Sequence, residues 1–288
     1  MSSIKNLLTV DCEEWFVAET LINHFSRDEW DKLNSTVTKN SHKLLDMFYR
    51  HKVKATWFVL GWVADHHSNL IQEIMNEGHE IACHSYYHRR VSTLTREEFE
   101  KDTQMAIDAL IKAVGVRPNG YRAPSWSINP SVPWAFEVLA KLGFSYDSSI
   151  FPIKHDIYGM PKGPRTTFKM KIDNDNTLFE IPASTYRFMG KNYPIAGGGY
   201  LRHSPYWFTK TMVKKSNKKG QPVVAYIHPW ELDSNPPKIS GLSKIQNMRM
   251  YGSVNILARK FDKLLGDFEF TTMDEYIQQF RKRTIGFY

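Results

Sequence analysis

The chain has 288 residues and a mass of 33.6 kDa, enough for one large domain or two small ones. With 42% apolar and 24% charged residues the composition is ordinary for a globular protein and excludes a disordered or fibrous chain. Basic residues outnumber acidic ones by 38 to 30, a formal charge of +8. Two clusters contribute visibly, Lys210–Lys219 and Arg281–Arg283. Either they are solvated faces or they meet an anionic partner such as a lipid-linked glycan, an acidic polysaccharide or a membrane surface. Nucleic acid is not expected, because no aromatic residues interleave with the basic ones in a reader motif.

The longest near-continuous apolar run, Ala55–Ala64, is too short to span a bilayer. Leu7–Val10 is too short for the apolar region of an export signal, so the expectation is a cytoplasmic chain. Cys12 and Cys83 are the two cysteines and neither belongs to a C-x-x-C, which excludes a disulfide framework.

In chain order, Leu7–Val10 reads as a strand. Ser41 is expected to cap a helix whose Leu44, Leu45, Met47 and Phe48 share one face. Lys54–Val59 is a second strand, Asn69–Glu77 a helix stopped by Gly78, and Glu80–Cys83 a third strand. Thr95 and Glu98 form a capping box for a helix reaching about Ala113. Asn119–Tyr121, the Ser131–Leu142 helix and the Gly143–Asp147 turn and strand continue the rhythm. Residues 151–204 break it, holding eleven of the chain's thirty prolines and glycines, and are expected to be an irregular insertion in a single domain of 1–288. Tyr206–Lys215 is helical, Pro222–His228 a strand, Val254–Leu265 a helix, Phe268–Thr272 a last strand and Met273–Phe280 a closing helix. Such alternation predicts parallel strands joined by crossover helices. With about seven strands and no Gly-rich dinucleotide fingerprint, a barrel is expected rather than an open doubly wound sheet.

In a parallel barrel the chemistry gathers where the strands end. Here five strands end in polar groups: Asp11–Glu14, Cys83–His88, Tyr121–Trp126, Tyr146–Ser149 and Ile227–Glu231. His84 and His88, four residues apart, can meet one ion if their segment makes a helical turn. Two imidazoles and a carboxylate leave coordination positions open, as a hydrolytic metal requires. His66 and His67 are adjacent, so their side chains diverge. His79 reads as a packing or capping residue.

Asp11-x-Glu13, His84–Ser85–x–x–His88, Arg122-x-Pro124, Tyr146–Asp147–Ser148 and Ile227–His228 together resemble the five motifs of the polysaccharide deacetylases, the NodB-homology domain of carbohydrate esterase family 4. The likeness covers about residues 5–150 closely and 220–280 more loosely. Its later part, with Gly197–Gly199, Tyr200 and His228–Glu231, resembles deacetylases associated with exopolysaccharide export. The resemblance implies a distorted (β/α)7 barrel and hydrolysis of N-acetyl groups on amino sugars of a glycan. It also implies a divalent metal, commonly zinc, with cobalt or nickel as other candidates. By position, Asp11 would be the general base, fixed by Arg122. Glu13, His84 and His88 would hold the metal. His228 would be the general acid, oriented and charged by Asp147. The backbone N–H of Ser125 would meet the oxyanion, and Trp126, Tyr87, Tyr200 and Trp230, with Ser125, would contact the sugar.

Two departures stand out. Most of the family has two adjacent aspartates in the first motif; here Cys12 occupies the second position. Asp11-x-Glu13 resembles a variant spacing found among peptidoglycan deacetylases, with Glu14 as an alternative ligand. Strand alternation points the Cys12 side chain opposite to that of Asp11, into a buried site. The second departure is Ser125, where many members carry an aromatic residue. Two other readings remain: a metal-independent cyclic-amide hydrolase of the allantoinase kind, and an inactive glycan-binding member.

Overall fold

Eleven strands and ten α-helices are described by a computed structural model for residues 4–156 and 158–285. The first strands are β1 (Asn6–Cys12), β2 (Thr56–Val59), β3 (Glu80–Cys83), β4 (Gly120–Tyr121) and β5 (Tyr146–Asp147). They are followed by β6 (Phe168–Lys171), β7 (Thr177–Glu180), β8 (Thr185–Phe188), β9 (Lys191–Pro194), β10 (Val224–Ile227) and β11 (Phe270–Thr271). The helices are α1 (Val37–His51), α2 (Gly61–His66), α3 (Ser68–Asn76), α4 (Arg96–Val114) and α5 (Trp134–Lys141). Then come α6 (Gly198–His203), α7 (Tyr206–Lys218), α8 (Lys244–Tyr251), α9 (Val254–Asp267) and α10 (Met273–Ile285). The side chain of Arg283, in the expected basic tail, lies outside the described residues.

Seven parallel strands in the order β10-β1-β2-β3-β4-β5-β7 curl into a distorted (β/α)7 barrel, with β6 antiparallel on the edge of β7. The gap between β7 and β10 is bridged by single contacts. Val224 N–H donates to Ser184 Oγ at 2.8 Å and Tyr226 N–H to the Ala196 carbonyl at 3.2 Å. Gly197 pairs with Tyr226 so closely that a Cβ there would sit 2.0 Å from the ring, which leaves room for glycine alone.

The seventh barrel strand differs from the expected one. Phe268–Thr272 contributes only the two-residue β11, which pairs with the start of β1, whereas β7 comes from the segment expected to be irregular. The run Thr-Leu-Phe-Glu is too short to show a period. The start of α1 is also earlier than expected: Thr36 precedes its first residue, and Ser41 lies buried inside the helix. The Thr95–Glu98 capping box forms as the spacing predicts.

Period-two alternation sorts β1 between two cores. Leu8, Val10 and Cys12 face the helical layer, where Leu44, Leu45 and Phe48 of α1 meet them. Leu7 faces the barrel interior with Phe58, Ala82, Tyr146 and Phe179, and Met273 and Ile277 of α10 join that cluster. The same alternation sends Thr9 and Asp11 inward beneath the strand ends. Among the described residues no helix is long and apolar enough to cross a membrane.

Candidate active site

The inward face of β1 begins the site. Asp11 Oδ1 accepts a hydrogen bond from Arg122 Nη1 at 2.5 Å, and the same nitrogen donates to Thr9 Oγ1 at 2.9 Å. Arg122 follows β4 and is completely buried. Its Nε donates to the Ser148 carbonyl at 3.3 Å. The guanidinium carbon lies 4.0 Å from the ring centre of Phe58 and 4.7 Å from that of Trp126, so the cation is held between two aromatic faces.

Two residues on, Glu13 meets the loop after β3. Its Oε2 lies 2.8 Å from Nε2 of His88 and 3.6 Å from Nε2 of His84. One ligand atom from each of the three falls within 4.8 Å of the others, and all three side chains are buried. Nδ1 of His84 lies 2.8 Å from the Arg122 carbonyl. A carbonyl only accepts, so a proton sits on Nδ1, and Nε2 is the ring nitrogen turned towards Glu13. Burial works against the Glu13 charge, yet the imidazoles of His88 and His84 hold its carboxyl well below the usual range. Oε2 makes no hydrogen bond. A buried carboxylate oxygen and two imidazole nitrogens crowded together suit a divalent cation, and the donor set fits zinc, cobalt or nickel.

The His84–His88 segment is not the helical turn expected from its spacing. Ser85 and His88 take left-handed φ values of 62° and 52°, and the chain reverses as a loop. Asp102 of α4 fixes it, accepting the Tyr86 and Tyr87 backbone N–H groups at 2.9 and 3.3 Å. Gly61 N–H donates to the Ser85 carbonyl, and a Cβ at Gly61 would come within 2.6 Å of the Tyr86 ring. This loop geometry also corrects the expectation for Tyr87. Its ring lies against Trp30 and under Arg27, outside the cavity lining.

Glu14 lies outside this cluster. Its carboxylate accepts the Thr36 and Val37 backbone N–H groups at 3.1 and 3.4 Å and the Ser35 hydroxyl. It caps α1 from outside, the role the sequence suggested for Ser41. Cys12 is buried on the helical side, where burial pushes its thiol up, far from acting as a thiolate.

His228, after β10, brings Nε2 to 3.8 Å from Asp11 Oδ2 and 3.9 Å from Glu13 Oε1. Its partner is Glu231, not Asp147: Nδ1 lies 2.8 Å from Glu231 Oε2. Burial pulls the imidazole down, but the hydrogen bond and charge of Glu231, with Glu13 and Asp11, raise its pKa to about 9. Asp147 turns instead to its own turn, accepting from Ser149 Oγ at 2.6 Å and Ser149 N–H at 3.1 Å. It adjoins Glu180, and burial raises both carboxyl groups, Glu180 well above the usual range. Glu231 sits three residues beyond His228, a local spacing that was legible but resembles ordinary helix capping. Glu180 ends a strand the sequence did not reveal.

Asp11, Glu13, His84, His88 and His228 line one cavity of about 530 Å³, within the usual size for small-ligand sites. Ser125, Trp126, Tyr200 and Trp230 line it, as do Tyr158 and Tyr226, which the sequence did not single out. Trp230 has a second attachment: its Nε1–H donates to Glu13 Oε1 at 3.1 Å and its ring stacks on His228 at 5.3 Å. Ser125 holds a left-handed φ of 53°, and Glu19 accepts its hydroxyl proton.

Residues 29–146 match the family described as polysaccharide deacetylase, and residues 148–278 match a domain described as of unknown function, DUF3473. Asp11 and Glu13 precede the first match. A peptidoglycan deacetylase of Helicobacter pylori is 31% identical over 108 residues, which are 38% of this chain and 36% of that protein. The similarity thus spans about a third of the length of that curated relative. In fold, a Mycobacterium smegmatis protein assigned to the polysaccharide deacetylases superposes over 99% of this chain and 95% of its own, with a TM-score of 0.62 and 20% identity. A PuuE allantoinase superposes over 93% of this chain and 87% of its own, with a TM-score of 0.59 and 13% identity.

Proposed function

We propose, from the match of residues 29–146 to the polysaccharide deacetylase family, that the chain hydrolyses the N-acetyl amide of amino sugars in a glycan. The observation that carries the reading is the convergence of Glu13, His84 and His88 beside an Arg122-held Asp11 and a Glu231-held His228. The whole chain acts as one catalytic unit in this reading, since Asp11 and Glu13 precede the first match, His84 and His88 lie within it and His228 lies in the second.

Glu13, His84 and His88 would hold a divalent metal, with zinc, cobalt and nickel all suited to these donors. Such an ion, when bound, lowers the pKa of water from about 15.7 towards about 7 and polarises a carbonyl. Asp11, fixed by Arg122, takes the proton of the attacking water as its oxygen bonds to the acetyl carbon, a role that typically contributes about 10²–10⁴ in rate. The backbone N–H of Ser125 donates to the acetyl oxygen as that oxygen gains charge. His228 Nε2–H protonates the departing nitrogen while the C–N bond breaks, leaving acetate and a free amine. Glu231 keeps that proton on the imidazole, and Asp147 acts only on the turn that carries Ser148. Trp126, Tyr200 and Trp230 offer apolar faces to the sugar ring.

The competing reading, a metal-free cyclic-amide hydrolase, is supported by the fold likeness to the allantoinase but leaves Glu13, His84 and His88 without a purpose. Acetate release from N-acetylated oligosaccharides, with and without chelator and with Asp11→Asn, tests the proposal. Chelator-sensitive release that is lost in Asp11→Asn supports it. Turnover that survives both treatments, or ring opening of allantoin without acetate release, rejects it.

A further inference from the structure

The fifty residues between Glu180 and Glu231 contain no acidic side chain, yet they hold eight lysines and arginines. That segment alone carries as much net positive charge as the formal +8 of the entire chain. It includes the β8–β9 hairpin, whose ladder runs from Thr185–Pro194 to Phe188–Lys191 and closes through Met189 and Gly190. Both closing residues have positive φ, 46° and 77°. Two-residue turns of that kind select Asn-Gly or Asp-Gly, because an unbranched apolar side chain gains no local hydrogen bond to offset the left-handed backbone. Gly190 meets the demand and Met189 does not.

Nor does folding reward the apolar character of this tip. Met189 is 84% exposed and Phe188 59% exposed. The exposed Arg187 and Lys191 flank them. Further in, the ammonium groups of Lys215 and Lys219 lie 5.8 and 5.3 Å from the ring centre of Tyr186, so the basic end of α7 abuts the hairpin. On α7, Trp207 is 69% exposed, and Lys214 and Lys218 follow it at seven and eleven residues, on the same stripe.

We propose that this surface docks on an anionic lipid bilayer, with Phe188 and Met189 entering the headgroup region and the α7 lysines facing the lipid phosphates. Apolar residues ringed by basic ones bind such surfaces by burying apolar area and by attraction to anionic lipid. A soluble polyanion would use the lysines and leave the apolar tip without a role.

The test is co-sedimentation of the full chain with vesicles of phosphatidylcholine alone and of an equal mixture of phosphatidylcholine and phosphatidylglycerol. The wild type is expected to bind the mixed vesicles only. Met189→Asn suits the left-handed turn and should keep or raise the melting temperature while weakening binding about ten-fold. Serine at Lys214, Lys215, Lys218 and Lys219 should weaken it by roughly five-fold per charge. Three outcomes overturn the proposal: a wild type that ignores the mixed vesicles, tip variants Met189→Asn and Phe188→Ser that bind as tightly as wild type, or a concentration-dependent dimer that both tip variants abolish in the absence of vesicle binding.

Discussion

Oε2 of Glu231 accepts both the Nδ1–H of His228, at 2.8 Å, and the backbone N–H of the same residue, at 3.2 Å. Glu231 is buried, and Nε of Arg202 lies 3.8 Å from its other oxygen. Burial raises the Glu231 carboxyl, but the bond and charge of His228, with Arg202, bring it below its ordinary range. The acid of the proposed reaction is thus paired within its own turn, three residues away.

That pairing sets a pH limb. An acid must be protonated to act, so activity is retained below the His228 pKa of about 9 and lost above it. Glu231→Gln should move this alkaline limb of kcat/KM towards the ordinary imidazole value of about 6.5 and lower kcat/KM more than ten-fold near pH 8. Asp147→Asn should leave the limb in place. A limb that follows Asp147 and not Glu231 would reverse the assignment.

Arg122 and Asp11 form a buried ion pair, so removing one partner strands the other. Arg122→Met should cost roughly 3–5 kcal/mol in urea unfolding, because Asp11 would be left as an uncompensated buried charge. Adding Asp11→Asn to that variant should recover part of the loss. If the double variant is as unstable as the sum of the single ones, the two side chains are not coupled as described.

Neighbouring glutamates should separate by measurement. Glu14→Gln should cost about 1 kcal/mol of stability, as the loss of a helix cap does, with metal uptake intact. Glu13→Gln should abolish metal uptake. Calorimetric zinc titration alongside thermal melts distinguishes them, and equal metal loss in both would return Glu14 to the ligand set.

The Asp147–Glu180 pair predicts how stability responds to pH. Burial raises both carboxyl groups, and the charge of Asp147 raises Glu180 further. The folded chain therefore keeps a proton that the unfolded chain releases above about 4.3, so stability is full below that value and declines as pH rises. Glu180→Gln retains an acceptor for the Ile150 N–H and should flatten the decline between about pH 5 and 8. Melting curves with the same pH slope in both proteins would contradict it.

Alternation along β1 is enough to send Asp11 inward and Cys12 towards the helices, and the polar endings of β1, β3, β4 and β10 mark the site in the sequence itself. What escaped depends on tertiary contacts. The loop of His84 and His88 owes its course to Asp102, a residue on a helix beyond it, and that course carries Tyr87 away from the cavity. β7 is four residues long and shows no period, so Glu180 could not be placed. The cap on α1 comes from Glu14, more than twenty residues earlier, a relationship that local spacing does not encode.

The metal content of the purified chain after loading with zinc and dialysis tests the central claim most directly. One bound equivalent in the wild type, lost in His84→Ala and in His88→Ala variants that remain folded by circular dichroism, is the predicted result. A full equivalent retained in both variants, or no retention by the wild type, would contradict it.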